Sequence, residues 1–335
     1  MGELRWGVLS PARIGTEKVI PAIQRADRCT VAAIASRDQG RAEAAASRLG
    51  IERTHGSYEG LLADPDIDAV YIPLPNHLHA EWTIAAATAG KHVLCEKPLA
   101  LSSADAQRMV DACEAAGVCL YEAFMYRFHP SWLAVRDLLA NGRIGELRGI
   151  DIWFSYFNDD PTNIRNILDV GGGAMWDIGC YAVSVARLLF GAEPERVHSV
   201  LRRDPTSGVD TLAAGLLEFS GGAVSFGCST RVEPDQRVHV YGSRGRISLA
   251  IPFNIPPDLP TEVFVTHGGD PPVDPATETL RFEPANQYTL QAEAFARAVL
   301  DGEPLPVASA DAVANVAVIE RVFQAANPDG QLSPS

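Results

Sequence analysis

The amino-acid sequence predicts an α/β domain over 1–123, built on a doubly wound parallel sheet, followed by an α+β domain over 124–335. The second domain is expected to hold a large, mostly antiparallel open sheet flanked by helices. Three observations carry this reading. A length of 335 residues exceeds one ordinary domain and suits two. Short apolar runs alternate with helical patterns through the first 120 residues. After Glu146 the hydrophobic pattern changes to a two-residue period.

In the first domain, the run Arg5–Leu9 is closed by Ser10-Pro11 and followed by a helical pattern from about Gly15 to Ala26. A second run, Val31–Ala35, is closed by Ser36-Arg37-Asp38. The alanine-rich stretch Gly40–Leu49 favours helix and stops at Gly50. Ala69–Ile72 is a third strand, ended by Pro73 and Pro75, and Glu81–Ala89 a helix ended by Gly90. Val93–Cys95 is the fourth strand, Ser102–Ala116 a helix capped by Ser102 or Ser103, and Val118–Tyr121 the fifth strand. Strands and helices that alternate at these lengths give a parallel sheet with crossover helices.

In the second domain, Ile150, Ile152, Phe154 and Tyr156 alternate with Asp151, Trp153 and Ser155. Strand-like runs recur at Arg196–Leu201, Leu212–Phe219, Ala223–Cys228, Arg237–Tyr241, Arg246–Leu249 and Glu262–Val265. One helix, entered through Gly171-Gly172-Gly173 and stopped at Gly191, interrupts them. Two more helices are expected at about 288–300 and 309–325.

Lys+Arg is 28 and Asp+Glu is 42, a net charge of −14, which disfavours nucleic acid and anionic membranes as partners. No apolar run approaches membrane-spanning length, and the chain enters its first strand at once without a leader, so a cytoplasmic location is expected. The six cysteines, Cys29, Cys95, Cys113, Cys119, Cys180 and Cys228, form no Cys-x-x-Cys pair. A disulfide framework or a metal site is therefore not expected.

Ligands of an open parallel sheet bind at the carboxyl ends of its strands. The fourth strand ends in Glu96-Lys97-Pro98, a charged pair locked by proline, and Lys97 is a candidate active-site group. On the tripeptide alone, a surface ion pair beside a turn proline is the better reading, and the rest of the chain reverses it. Ser10-Pro11-Ala12-Arg13-Ile14-Gly15 stands where a Gly-x-Gly-x-x-Gly phosphate loop would, with only the last glycine kept. Ser10, Ala12, Arg13 and Ile14 are the candidate phosphate-loop contacts. After the second strand, Ser36, Arg37 and Arg41 stand where an NAD site has a carboxylate. A guanidinium can hold a 2′-phosphate, so NADP(H) is expected in preference to NAD(H). On the interrupting helix, Asp177 and Tyr181 are four apart and share a face. They suit an acid/base pair, and equally a capping carboxylate with a core tyrosine.

Five motifs occur in one order: Ser10–Gly15, Pro75–His79, Ala89–Pro98, Glu122–Pro130 and Gly171–Tyr181. Together they resemble the glucose-fructose oxidoreductase/inositol dehydrogenase/rhizopine-catabolism (Gfo/Idh/MocA) family. The resemblance spans nearly the whole chain, and its most specific part is Ala89–Pro98. It implies a Rossmann domain, a second domain with an open antiparallel sheet, and a pyridine-nucleotide oxidoreductase of sugars, cyclitols or diols. Many members carry Asp-x-x-x-His on the helix after the glycines; here Asp177 is followed by Tyr181, like the branch of sugar and dihydrodiol dehydrogenases and sugar 3-ketoreductases. The family's catalytic lysine falls on Lys97, and its Lys-Pro bond is often cis. The implied cofactor contacts include Pro73, Leu74, Asn76, His79, Glu96, Lys97 and Pro98. Tyr181 would carry the proton, helped by the Lys97 ammonium, because a free phenol with a pKa of about 10 is too weakly ionised at neutral pH. Asp177 would orient substrate or Lys97. Arg127, Trp153 and Arg165 are candidate substrate contacts, although a scaffold ion pair is the favoured role for either arginine. A homodimer or homotetramer through the second sheet is expected. Competing functions are a non-catalytic dinucleotide-sensing regulator and a redox-neutral NAD-dependent glycosidase.

Overall fold

Short strands that are apolar on both faces need cover on both faces, and a parallel sheet with crossover helices supplies it. The computed structural model, which describes residues 2–267 and 276–327, has this arrangement in the first of two units. That unit comprises the chain up to Met125 together with Asn286–Val313; the other comprises Tyr126–Ala285 and the segment from Ala314.

The first unit's strands are β1 (Leu4–Leu9), β2 (Cys29–Ala35), β3 (Arg53–His55), β4 (Ala69–Ile72), β5 (His92–Cys95) and β6 (Leu120–Glu122). All pairings are parallel, in the order β3-β2-β1-β4-β5-β6. The order reverses between β1 and β4, so the switch point lies where Ser10 and Pro73 leave the sheet. Asp38 and Ser102 cap the following helices by accepting the Arg41 and Asp105 N–H groups, and Gly50 and Gly117 end them in the left-handed region. The three-residue β3 has no apolar pattern to announce it, because it is a half-exposed edge strand. The expected helix at 288–300 is Gln287–Asp301, and it belongs to this unit. Phe295 lies 5.1 Å from the Trp6 ring, and Arg28 pairs with Asp301 at 2.6 Å.

The second unit's strands are β7 (Leu147–Phe157), β8 (Arg196–Arg203), β9 (Asp210–Phe219), β10 (Gly222–Ser229), β11 (Arg231–Gly242), β12 (Gly245–Leu249), β13 (Thr261–His267) and β14 (Thr277–Phe282). They form one sheet in the order β14-β13-β12-β11-β7-β10-β9-β8, antiparallel except for β7 with β10. Ile150, Ile152 and Phe154 are buried, and the helix Cys180–Phe190 contributes Val183, Val185 and Ala186 to the same core. The unexpected β14 is another mostly exposed edge strand. All six cysteines are free. Among the described residues, no helix is long and apolar enough to cross a membrane, and no group of His, Cys, Asp or Glu could hold a metal.

Candidate active site and cofactor cradle

The loop after β1 departs from the glycine pattern at a position that needs glycine-like geometry. Ser10 takes φ 109°, in the left-handed region where glycine is favoured. Its N–H donates to the Ala35 carbonyl at 3.0 Å, which ties the loop to the end of β2. At that end, Ser10, Pro11, Ser36, Arg37, Asp38, Arg41 and Tyr58 line a cleft of about 380 Å³. Arg37 and Arg41 are exposed, and neither guanidinium has a partner among the described residues. The Asp38 carboxylate is occupied as a cap by the Arg41 N–H at 3.1 Å. The cleft thus offers two uncommitted cations and no free carboxylate close to Ser36. That donor set suits a phosphate monoester on a ribose better than two bare hydroxyls. Tyr58, absent from the sequence expectations, is held edge-on to Trp82 at 4.9 Å. Arg13 is spread over the surface and pairs with Glu17 at 3.0 Å. Ala12 accepts the Thr16 N–H at 2.9 Å, where the helix begins around Ile14.

Lys97 is presented by a loop whose backbone is fastened at Pro98 and Leu99. The Lys97–Pro98 peptide is cis. The Pro98 carbonyl accepts from His79 at 2.9 Å, and the Leu99 N–H donates to the buried Glu122 carboxylate at 2.8 Å. Glu96 accepts the Tyr71 hydroxyl at 2.6 Å. Burial, then the Glu96 charge, raises the Tyr71 pKa and keeps the phenol a donor. His79 is fully buried, and its second ring nitrogen meets the Leu74 carbonyl at 2.8 Å. Burial lowers its pKa, although the carbonyl contacts pull the other way. His79 therefore joins the loops after β4 and β5 from behind rather than offering a ring to a cofactor. Pro73 and Leu74 are buried, while Asn76, Glu96 and Lys97 are half-buried.

In the second unit, Asp177 and Tyr181 meet the inward face of β7. The helix starts with a π-turn, Met175–Gly179, before continuing as Cys180–Phe190. Such turns recur at functional sites. Asp177 Oδ2 accepts the Tyr156 hydroxyl at 2.5 Å and Arg165 Nε at 2.8 Å. Burial, then the Asp177 charge, raises the Tyr156 pKa, so this phenol remains a donor to the carboxylate. The Tyr181 ring packs 5.5 Å from Phe154 and 4.9 Å from Phe253. Phe154 and Tyr156 are two apart on one strand, so they share a face, and Asp177 and Tyr181 face the same way. The loop bearing Arg165 is pinned by Asn166, which donates to the Asp160 carbonyl at 2.8 Å and accepts from Arg231 at 3.1 Å.

Two expected substrate contacts fall elsewhere. Trp153 points to the opposite face of β7 from Phe154 and Tyr156, as strand alternation requires. Its ring covers Gly227, where a Cβ would come within 2.4 Å of it, and its indole N–H donates to Ser155 at 2.9 Å. Arg127 is buried and donates to Ser184 at 2.8 Å, one turn along the helix from Tyr181. Arg165 alone of the three lies beside Asp177. Tyr156 was legible as an inward-facing residue of the alternating run, but nothing in that run marked it as a partner of Asp177.

Comparison with known proteins agrees with this organisation. The family description "Oxidoreductase family, NAD-binding Rossmann fold" matches residues 4–124, and "GFO/IDH/MocA C-terminal domain" matches 132–248. The chain is 43% identical to D-xylose 1-dehydrogenase (NADP(+)) 2 of Haloferax volcanii, over 96% of this chain and 97% of that protein. It is 34% identical to trans-1,2-dihydrobenzene-1,2-diol dehydrogenase of Bos taurus, over 76% of this chain and 77% of that one. Among solved structures, KijD10, a 3-ketoreductase from Actinomadura kijaniata in complex with NADP and TDP-benzene, superposes with a TM-score of 0.89. That match has 34% identity and covers 97% of this chain and 98% of the other. Both domains are matched in chain order and the likeness runs nearly end to end, so the chain belongs to the Gfo/Idh/MocA oxidoreductase family, with an NAD(P)-binding Rossmann domain first.

Proposed function

We propose that the protein is an NADP(H)-dependent oxidoreductase that transfers hydride between the nicotinamide and a carbinol or carbonyl carbon of a sugar or related diol. The observation that carries the reading is Lys97, an ammonium on a loop fastened at Pro98 and Leu99, at the end of an inner strand of the parallel sheet. Bound nicotinamide supplies or accepts the hydride. The chain's residues handle the accompanying proton. Lys97 donates to the substrate oxygen and stabilises alkoxide charge as it develops. Tyr181 carries the proton to or from that oxygen. Asp177, held in place by Tyr156 and Arg165, accepts from a neighbouring substrate hydroxyl. Ser36, Arg37 and Arg41 hold the 2′-phosphate.

The 43% identity to an NADP-dependent xylose dehydrogenase supports aldose oxidation at C1. The likeness to KijD10 supports a second reading, reduction of a nucleotide-linked 3-keto-sugar. Nicotinamide absorbance followed over aldoses, trans-diols and keto-sugars, with NADP(H) and NAD(H) in parallel, tests both. No turnover on any of the three classes would sink the proposal. We also propose that copies pair through the outward face of the second sheet, which carries Trp153, Val200, Leu216 and Tyr241. Sedimentation that shows only monomer would exclude this.

A further inference from the structure

Asp210 opens β9 and is 2% exposed, with its carboxylate directed at the segment that carries Asp177 and Tyr181. Its Oδ2 accepts the Met175 N–H, at the first residue of the π-turn, at 2.7 Å. The first N–H groups of a helix lack internal partners, so a buried acceptor there fixes where the helix begins. The preceding glycines are cut to admit it. Gly173 has φ +124°, and a Cβ on it would lie 2.1 Å from Asp210 Oδ1. A Cβ on Gly172 would lie 2.7 Å from the carbonyl oxygens of Arg165 and Ile167. Gly173 N–H donates to the Arg165 carbonyl at 2.9 Å. One short segment thus joins Asp210, the loop of Arg165 and the turn that bears Asp177. Burial pushes the Asp210 carboxyl up to about 6, while the Met175 N–H and the Arg203 charge draw it down. Another titratable neighbour is the Cys228 thiol on β10.

We propose that Asp210 is a positioning residue of the active site: through the Met175 N–H it sets the start of the π-turn, and with it the placement of Asp177 and Tyr181. This rests on the roles given to those two residues above. The test uses the full chain with Asp210→Ala, which removes the acceptor, and Asp210→Asn, which keeps an acceptor oxygen without the charge. For Asp210→Ala, kcat is expected to fall between about tenfold and a hundredfold with KM for NADP(H) unchanged, the size of effect a misplaced catalytic group produces. Amide hydrogen exchange should quicken in 171–181 and stay unchanged in β7 and β10. Asp210→Asn should restore protection and most of kcat. Protection of 171–181 unchanged in Asp210→Ala would overturn the proposal. So would exchange that quickens throughout the unit in both variants, which would make Asp210 a general determinant of the fold. A wild type without turnover would instead sink the proposed function, and the exchange comparison would still decide whether Asp210 sets the turn.

Discussion

The Tyr156 hydroxyl donates to Asp177 Oδ2 at 2.5 Å, and this bond ties the end of β7 to the π-turn. The same oxygen accepts Arg165 Nε, so one carboxylate collects a strand, a loop and a helix. The Asp177 side chain is only 13% exposed, which makes the partners matter more than at a surface ion pair. Tyr156→Phe removes a donor and keeps the ring. The variant should lose roughly 1–3 kcal/mol of stability, the range for a buried acceptor deprived of a partner. Its kcat should fall more than its KM for substrate rises. Urea unfolding and steady-state kinetics check both, and unchanged kinetics would confine the bond to structure.

Lys97 gives the most direct test of the proposed chemistry. His79 and Glu122 hold its loop at the Pro98 carbonyl and the Leu99 N–H, and replacement of the Lys97 side chain keeps both of these backbone groups. Lys97→Met should lower turnover by about a hundredfold to a thousandfold, as loss of one oxyanion donor does. NADP(H) affinity should stay within about threefold, under 1 kcal/mol. Fluorescence titration of the cofactor separates the two. Near-normal turnover would show that another group supports the substrate oxygen.

Much of this was legible in the sequence because it rests on local rules. The parallel sheet, the glycine stops and the Asp38 and Ser102 caps follow from period, propensity and capping chemistry. That Lys97 leaves the end of a strand was legible because Val93–Cys95 reads as a strand and the charged pair follows it directly. What sequence could not separate is chemistry from support at long range. Lys91, six residues earlier, is also a lysine of the most specific motif, yet it is buried and donates to the Asp64 and Ile67 carbonyls at 2.8 Å. Tyr156 and Asp210 lie 21 and 33 residues from Asp177, and only the folded sheet brings either to the turn. The edge strands β3 and β14 escaped because half-exposed strands carry no apolar pattern.

Cofactor choice should turn on Arg37 and Arg41, the two guanidiniums at the cleft with no partner among the described residues. A hydrogen bond to a charged group contributes about 1.5–3 kcal/mol, or roughly a tenfold to a hundredfold in affinity. Arg37→Ala should raise KM for NADP(H) by that factor and leave KM for NAD(H) unchanged. The NADP(H) constant should also weaken with salt more in wild type than in the variant. Equal losses for both cofactors would mean that Arg37 supports the adenosine rather than the 2′-phosphate.

The pH dependence of stability should carry the signature of Asp210. Its carboxyl is raised from 3.8 to about 6 in the folded chain, chiefly by burial. The unfolded chain then holds its proton less tightly than the folded one. Stability from this group is present in full below the unfolded value and is lost as pH rises through the folded value. That displacement corresponds to roughly 3 kcal/mol. Asp210→Asn cannot titrate at this position, so the difference in unfolding free energy between the two proteins isolates the term. Every other carboxylate cancels, apart from changes felt by Arg203 and Cys228 beside it. Relative to the variant, wild type should be more stable at pH 5 than at pH 8 by about 1–3 kcal/mol. Urea titrations at both pH values measure this. A difference that stays constant, or that favours wild type at the higher pH, would mean that the Met175 N–H and Arg203 outweigh burial, and that the folded chain prefers Asp210 ionised.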